Sequence, residues 1–253
     1  MKSTLLFSIM ALATVPSVLA GIPGCYSLDK KVAFTQYWIS KEGTEDMDNN
    51  GNIMHLTGPR DTPLKDTKGK TIAMVAKTTF EKCQMEGTCL LEDGKLVNLD
   101  NGKSAFKVLD RKKEPYGEGY APGVALDPFV TIATNDLPHK ATVYIKELDG
   151  LHLPNGKTHN GCVRVEDDSW SFNGCHIDWF VLEYPFYVTI NAPENVHSEV
   201  RSCEILDYIT PSIEAWGLLG KSITTLPPVN GTATGGKKGK GKKGKGKKHR
   251  RNN

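Results

Sequence analysis

Through the middle of the chain, short runs of β-branched and aromatic residues alternate with clusters of turn-forming residues. Residues 32–39, 71–76, 142–145, 162–165, 177–182 and 186–190 are such runs, and their composition predicts strands. Between or beside them stand Asn49-Asn50-Gly51, Thr67-Lys68-Gly69, Glu92-Asp93-Gly94, Asn101-Gly102 and Pro154-Asn155-Gly156, the residue types that reverse a chain within a few positions. Many short strands punctuated in this way predict a mainly β fold, a closed barrel or a sandwich. The best helical candidate is 196–219, where Val200, Cys203, Ile205, Leu206 and Ile209 form an apolar face that Pro211 interrupts. No internal repeat is present.

The two ends have a different character. Lys2 is followed by a mostly apolar stretch over 5–15, and Val18-Leu19-Ala20 puts small residues where a signal peptidase cuts, so 1–20 reads as a secretory signal. The apolar stretch is too short to span the roughly 30 Å of a bilayer core, and no later segment has the length of a transmembrane helix. From residue 227 the chain turns low-complexity. It passes Asn230-Gly231-Thr232, a glycosylation sequon, into Gly-Lys repeats ending in Lys248-His249-Arg250-Arg251. Glycine entropy and lysine repulsion predict a disordered tail at 227–253. Such a tail suits anionic polymers in general, with no specific nucleic-acid recognition implied.

The tail also changes what the charge means. The whole chain of 253 residues is formally +3, with 32 basic and 29 acidic residues. Setting aside Lys2 and the ten cations of 237–253 leaves 21 basic residues against 29 acidic, a mildly acidic body. With 38% apolar and 24% charged residues, the composition excludes a disordered chain, a collagen and a coiled coil. Six cysteines lie beyond the signal: Cys25, Cys83, Cys89, Cys162, Cys175 and Cys203. An even number in an exported chain predicts up to three disulfides, with 15 possible pairings; Cys162 with Cys175 is one candidate. The spacings match no usual zinc pattern, and neither a metal nor a cofactor is expected.

Candidate chemistry centres on aspartates. Asp127 precedes Pro128, Asp167 follows Val165-Glu166, and Asp178 lies inside the apolar run Ile177-Asp178-Trp179-Phe180. Burying a carboxylate is costly. Strand alternation puts Ile177 and Trp179 on the face opposite Asp178, so its carboxyl can point into a groove. Partial desolvation would raise its pKa towards that of a general acid; the alternative is an aspartate bonded to a turn or paired with Arg164.

The Asp127-Pro128 turn, Asp167 and Asp178 eleven residues apart, Gly174 and the sequence Ile177-Asp178-Trp179-Phe180 resemble the three-aspartate domain of bacterial membrane-bound lytic transglycosylase A and of wall-binding stationary-phase proteins. His176-Ile177-Asp178 is also similar to the His-Phe-Asp motif of expansins. The resemblance covers 121–184, and more weakly Tyr37-Trp38, residues 58–64, Glu86-Gly87-Thr88 and Asp93-Gly94 upstream. It implies a six-stranded double-psi β-barrel, shared with barwin and family 45 endoglucanases, acting on cell-wall polysaccharide (peptidoglycan or a β-glucan). By that resemblance Asp178 protonates the glycosidic oxygen, and Asp167 and Asp127 shape the field around it. Tyr37, Trp38, Trp170 and Trp179 are candidate sugar platforms, and Arg164 and His176 candidate substrate contacts. The sequence departs from the domain's pattern at Lys140-Ala141, where Gly-Thr is expected, and at Ser169 and Trp170, where glycines are.

These readings predict a signal at 1–20, an N-terminal extension with the first part of the barrel at 21–120, the barrel core with a short C-terminal helix at 121–226, and the tail at 227–253. The expected product is a secreted, glycan-active wall protein, most like a lytic transglycosylase. One alternative is an expansin-like or barwin-like module that binds without cleaving. Another rests on Thr158-His159-Asn160-Gly161-Cys162-Val163-Arg164, which is similar to the Ser-His-Gly-Cys-x-Arg stretch of L,D-transpeptidases and would make Cys162 a nucleophile.

Overall fold

A computed structural model describes residues 21–219, apart from 103. The predicted signal, the basic tail and Asn230 lie outside the described residues. In chain order the elements are β1 (Val32–Tyr37), β2 (Ser40–Lys41), β3 (Glu45–Met47), β4 (Ile53–His55), β5 (Thr62–Lys65), β6 (Thr71–Val75), α1 (Lys77–Glu86), β7 (Thr88–Leu90), β8 (Leu96–Asn101) and β9 (Ala105–Val108). They continue as β10 (Thr131–Ala133), β11 (Thr142–His152), β12 (Thr158–Asp167), β13 (His176–Phe180), α2 (Tyr184–Thr189), β14 (Asn195–Val196), β15 (Ser198–Val200) and α3 (Pro211–Leu219).

The fold is mainly β, as the pattern predicts. Its principal sheet runs β14-β1-β13-β10-β12-β11-β15. The first and last strands of that order are separated in sequence only by His197, so the two edges of the sheet must meet and the sheet curls into a nearly closed barrel. His197 sits on the seam: its carbonyl accepts from the Lys146 N–H at 3.0 Å, and its own N–H donates to Glu147 at 2.8 Å. Closure removes the exposed edges that invite mispairing. Two pairings inside the barrel are parallel, β1 with β13 and β10 with β12. The second sheet, β2-β7-β8-β9-β5-β6, is built from residues inserted between β1 and β10, with α1 packed on it and its own small core of Leu64, Val75, Leu91, Val97 and Phe106. The insertion faces the barrel across a cleft.

Local chemistry accounts for most of this. The five glycines of the predicted turns all have positive φ, as tight reversals require. Two segments differ from the pattern. Residues 186–190 are expected as a strand, but all except the C-cap Ile190 fall in α2, because Pro185 fits a first helical turn yet cannot donate to a ladder. The Glu183 carbonyl accepts from the Phe186 and Tyr187 N–H groups, and Phe186 packs on Phe129. The expected long helix at 196–219 is confined to α3, which starts at Pro211 for the same reason. Ahead of it, the Asn155, Lys157 and Asn160 side chains donate to carbonyls between Glu204 and Ile209, and this competes with helical bonding.

Three disulfides join Cys25 to Cys175, Cys83 to Cys89 and Cys162 to Cys203. A Cys162–Cys175 bridge is not formed, because β10 stands between β12, which carries Cys162, and β13, which Cys175 precedes. Lys140, exposed where the resembling domain has glycine, adopts φ 66°. Left-handed backbone costs a non-glycine residue about 1–2 kcal/mol, partly offset by glycine's greater unfolded entropy. Lys140→Gly should therefore raise stability by about 0.5 kcal/mol, read as a higher urea midpoint at unchanged slope.

Candidate active site

The cleft floor is one face of the barrel sheet. Along β1, Val32 and Phe34 turn into the core while Ala33, Thr35 and Tyr37 face outwards. Along β13, Ile177 and Trp179 are fully buried while His176 and Asp178 face outwards. Register then assembles the site. Asp178 lies beside Thr35 on one neighbouring strand and Ala133 on the other, and Ala133 is also the partner of Asp167. The two aspartates thus flank an alanine, with backbones two strand spacings apart, roughly 10 Å. The small Ala133 side chain leaves the space between them open to the cleft.

That cleft has a volume of about 1270 Å³. Its opposite wall comes from the insertion: the β3–β4 turn at Asp48 and Asn49, and the last turns of α1 at Lys82 and Glu86. The β12–β13 loop carries Trp170 and Phe172 onto the rim. Trp170 is 67% exposed, and its ring tip lies so near Gly87 that a Cβ there would sit 2.7 Å from it. The loop thus reaches from the barrel to the insertion.

The two floor acids are held differently. The Thr35 hydroxyl donates to Asp178 Oδ1 at 2.8 Å and lies 2.9 Å from His176 Nε2. Because that hydroxyl's single proton goes to Asp178, its oxygen can only accept from His176, which places the imidazole proton on Nε2. The His176 ring stacks on Phe172 at 3.8 Å. Burial pushes the Asp178 carboxyl up to about 7, with smaller increases from the charges of Glu86 and Asp167. Asp167 is also raised by burial to about 7. Both its oxygens are already occupied as acceptors, Oδ2 by the Tyr37 hydroxyl at 2.8 Å and Oδ1 by the Asp168 N–H at 2.9 Å. Asp178 thus accepts one protein hydrogen bond and Asp167 two, although burial raises both alike. Tyr37→Phe removes a bond that favours ionised Asp167, so the Asp167 pKa should rise further, read from its carboxyl ¹³C shift against pH.

Asp127 is not among the residues lining this cleft. Its carbonyl accepts from the Val130 and Thr131 N–H groups. Burial raises its carboxyl to about 6, and the charges acting on it are Glu166, Arg164 and Asp207 rather than the cleft acids. Arg164 is spent on Glu166, at 2.5 Å from Nε to Oε1, and it too is absent from the cleft lining. Of the four aromatic candidates, Trp179 offers no platform. It is wholly buried, packs on Phe34 and Phe129 and donates from Nε1 to the Phe129 carbonyl, because an inward position on β13 is a core position. Trp38 is 5% exposed and belongs to the wall, donating to Asp46 beneath the Lys82 ammonium. Tyr37, Trp38, Trp170 and His176 line the cleft. Cys162 is bonded to Cys203 and buried, which leaves no thiolate for the nucleophile reading; His159 beside it stacks on Tyr208 and is lowered to about 4 by burial.

No protein-family model and no curated protein matches the sequence. Solved structures are similar to it. A membrane-bound lytic murein transglycosylase from Agrobacterium tumefaciens shares 11% identity over 66% of this chain and 72% of that one, with TM-score 0.41. E. coli MltA with bound chitohexaose shares 12% over 68% and 72%, with TM-score 0.43. The lytic transglycosylase LtgG of Burkholderia pseudomallei shares 14% over 68% and 73%, with TM-score 0.36.

Thr35, Ala133, Phe172 and Glu86 belong to the site but are not singled out from sequence. Thr35 and Ala133 are ordinary strand residues there, and only register brings them to Asp178. Glu86 stands in the Glu86-Gly87-Thr88 stretch of the upstream resemblance, where nothing local distinguishes it from any helical glutamate. Cys25, Asp136 and Cys175 also cluster, but the two sulfurs are bonded to each other, so they do not make a metal centre. Among the described residues no helix is long and apolar enough to cross a membrane.

Proposed function

We propose that this protein is an extracellular enzyme that cleaves glycosidic bonds in a cell-wall polysaccharide, with Asp178 as the general acid. The single observation that carries the reading is the placement of Asp178. It is a carboxyl on the floor of an open cleft, oriented by Thr35 on one oxygen and raised by burial to about 7. A group of that pKa is protonated at mildly acidic pH yet still able to release its proton. With Thr35 occupying Oδ1, Oδ2 carries the proton towards the glycosidic oxygen. Asp167, two strands away and raised to about 7 as well, favours an oxocarbenium-like ring in the fraction of molecules where it is ionised. Trp170 and Phe172 supply apolar faces for sugar rings at the rim. Three disulfides fit an oxidising, extracellular setting. This is the acid step used by lytic transglycosylases, which the sequence resembles at Asp178.

The test is incubation of the wild type and Asp178→Asn with purified peptidoglycan, chitin and β-glucans, followed by turbidity and product mass. The wild type should release soluble fragments from one of these, and the variant should lose at least about 100-fold in rate. Adsorption of both proteins with no fragments released would make the chain a binding module instead.

A further inference from the structure

We infer that Glu86 is the second carboxylate of the cleft, the base that delivers water to the sugar ring from the wall opposite Asp178. The inference rests on the Asp178 reading above and decides what replaces the leaving group. Asp178 and Glu86 line the same cleft from different bodies, the barrel and the insertion, so a glycan lying in the cleft passes between them. The Glu86 charge acts on Asp178 ahead of that of Asp167. Asp167 belongs to the barrel floor like Asp178, so of the two neighbours only Glu86 stands on the insertion side of the cleft.

Glu86 is built in rigidly. It is the last residue of α1 and lies within the loop closed by the Cys83–Cys89 disulfide. Its Oε1 accepts from Lys82 Nζ at 2.5 Å, and Lys82, 1% exposed, is held in turn by Asp46 at 3.3 Å. Burial raises the Glu86 carboxyl above the usual range and the Lys82 ammonium only partly offsets it, so it takes up a proton more readily than a free glutamate, as a base must. With Oε1 taken, Oε2 is left to orient a water. Space for one exists, because Glu86 also lines an adjoining cavity of about 230 Å³ that Asp178 does not reach. Asp167, Thr88, Asn98, Glu118 and Tyr120 bring polar groups to its lining beside the apolar Leu99, Leu126 and Phe180, and such groups are what a held water needs.

The step balances as hydrolysis. The water oxygen bonds to the anomeric carbon as that carbon's bond to the glycosidic oxygen breaks. Glu86 takes the water proton, and Asp178 gives its own to the departing oxygen. Solvent exchange then returns both groups to their starting states. Attack from the face opposite the leaving group inverts the anomeric centre.

The deciding measurement is cleavage in H₂¹⁸O. Wild-type fragments should carry one ¹⁸O at the new reducing end, and NMR should show the inverted anomer first. Glu86→Gln, with an unchanged melting temperature, should lose about 10²–10⁴-fold in kcat while KM stays within about threefold. Unlabelled anhydro-ended fragments that vanish in Asp178→Asn would overturn this inference alone, as would full activity in Glu86→Gln. A wild type that leaves every glycan intact would overturn both readings. The label experiment needs no variant, so it decides even where Glu86→Gln fails to fold.

Discussion

Cleavage by the wild type should be fastest below about pH 7 and fall about tenfold per unit above it, because only protonated Asp178 can serve the leaving oxygen. Asp178→Asn should abolish that rate at every pH and also change stability in a telling direction. The folded-state pKa is raised from 3.8 to about 7. Between those values the folded chain keeps a proton that the unfolded chain has lost, so stability falls as pH rises through the window and stays low above it. A shift of that size corresponds to at most about 4 kcal/mol. Asn has no charge to desolvate, so the variant should melt above the wild type at pH 8, and the gain should disappear near pH 4. Loss of activity with this pH-dependent gain in melting temperature marks an acid held for function at the expense of stability. An Asp178→Asn protein that is inactive but no more stable at pH 8 would mean that the carboxyl is not desolvated. Asp167 and Asp127, also raised by burial, should add to the wild type's decline between pH 4 and 7.

The second large effect is on folding. Cys25 and Cys175 are 150 residues apart, whereas Cys83 and Cys89 are 6 apart. In the chain-entropy account the longer loop contributes about 5 kcal/mol and the shorter about 2 kcal/mol. The long bridge also ties the N-terminal segment to the strand that carries Asp178. Beside it Tyr26 bonds to Thr134 at 3.1 Å and Asp136 at 2.5 Å, and Asp136 accepts from the Cys175 N–H. The double variant Cys25→Ser/Cys175→Ser should therefore lose about 5 kcal/mol in guanidinium unfolding, with activity falling in parallel as the β13 entry loosens. Equal losses from the two double-serine variants would show that loop length is not what matters here.

Much of the fold is legible locally. Five Gly-containing turns fall where the sequence puts them, and the alternation around Asp178 separates Ile177 and Trp179 from it before any coordinates are known. Local reading fails where a neighbour outvotes propensity. The aromatic run at 186–190 is helical up to Thr189 because Pro185 and Glu183 start a turn there. The apolar stretch after 200 is held out of helix by side chains of the β11–β12 hairpin.

For the candidate site, an acid inside an apolar strand is an anomaly visible in one dimension and marks Asp178, whereas Asp167 and His176 are marked through the family resemblance, and Tyr37 and Trp170 as candidate aromatic platforms; all five line the cleft. Which of them meet is a matter of register and of distance across a cleft, and those depend on long-range pairing. The parallel partnership of β1 with β13 put Thr35 on Asp178. Insertion of a second sheet brought Glu86 to the opposite wall, while the far end of β10 carried Asp127 away. Strand periodicity is intrinsic to a peptide, but the partner across a sheet is chosen by the burial of the whole core, and no stretch of sequence contains that choice.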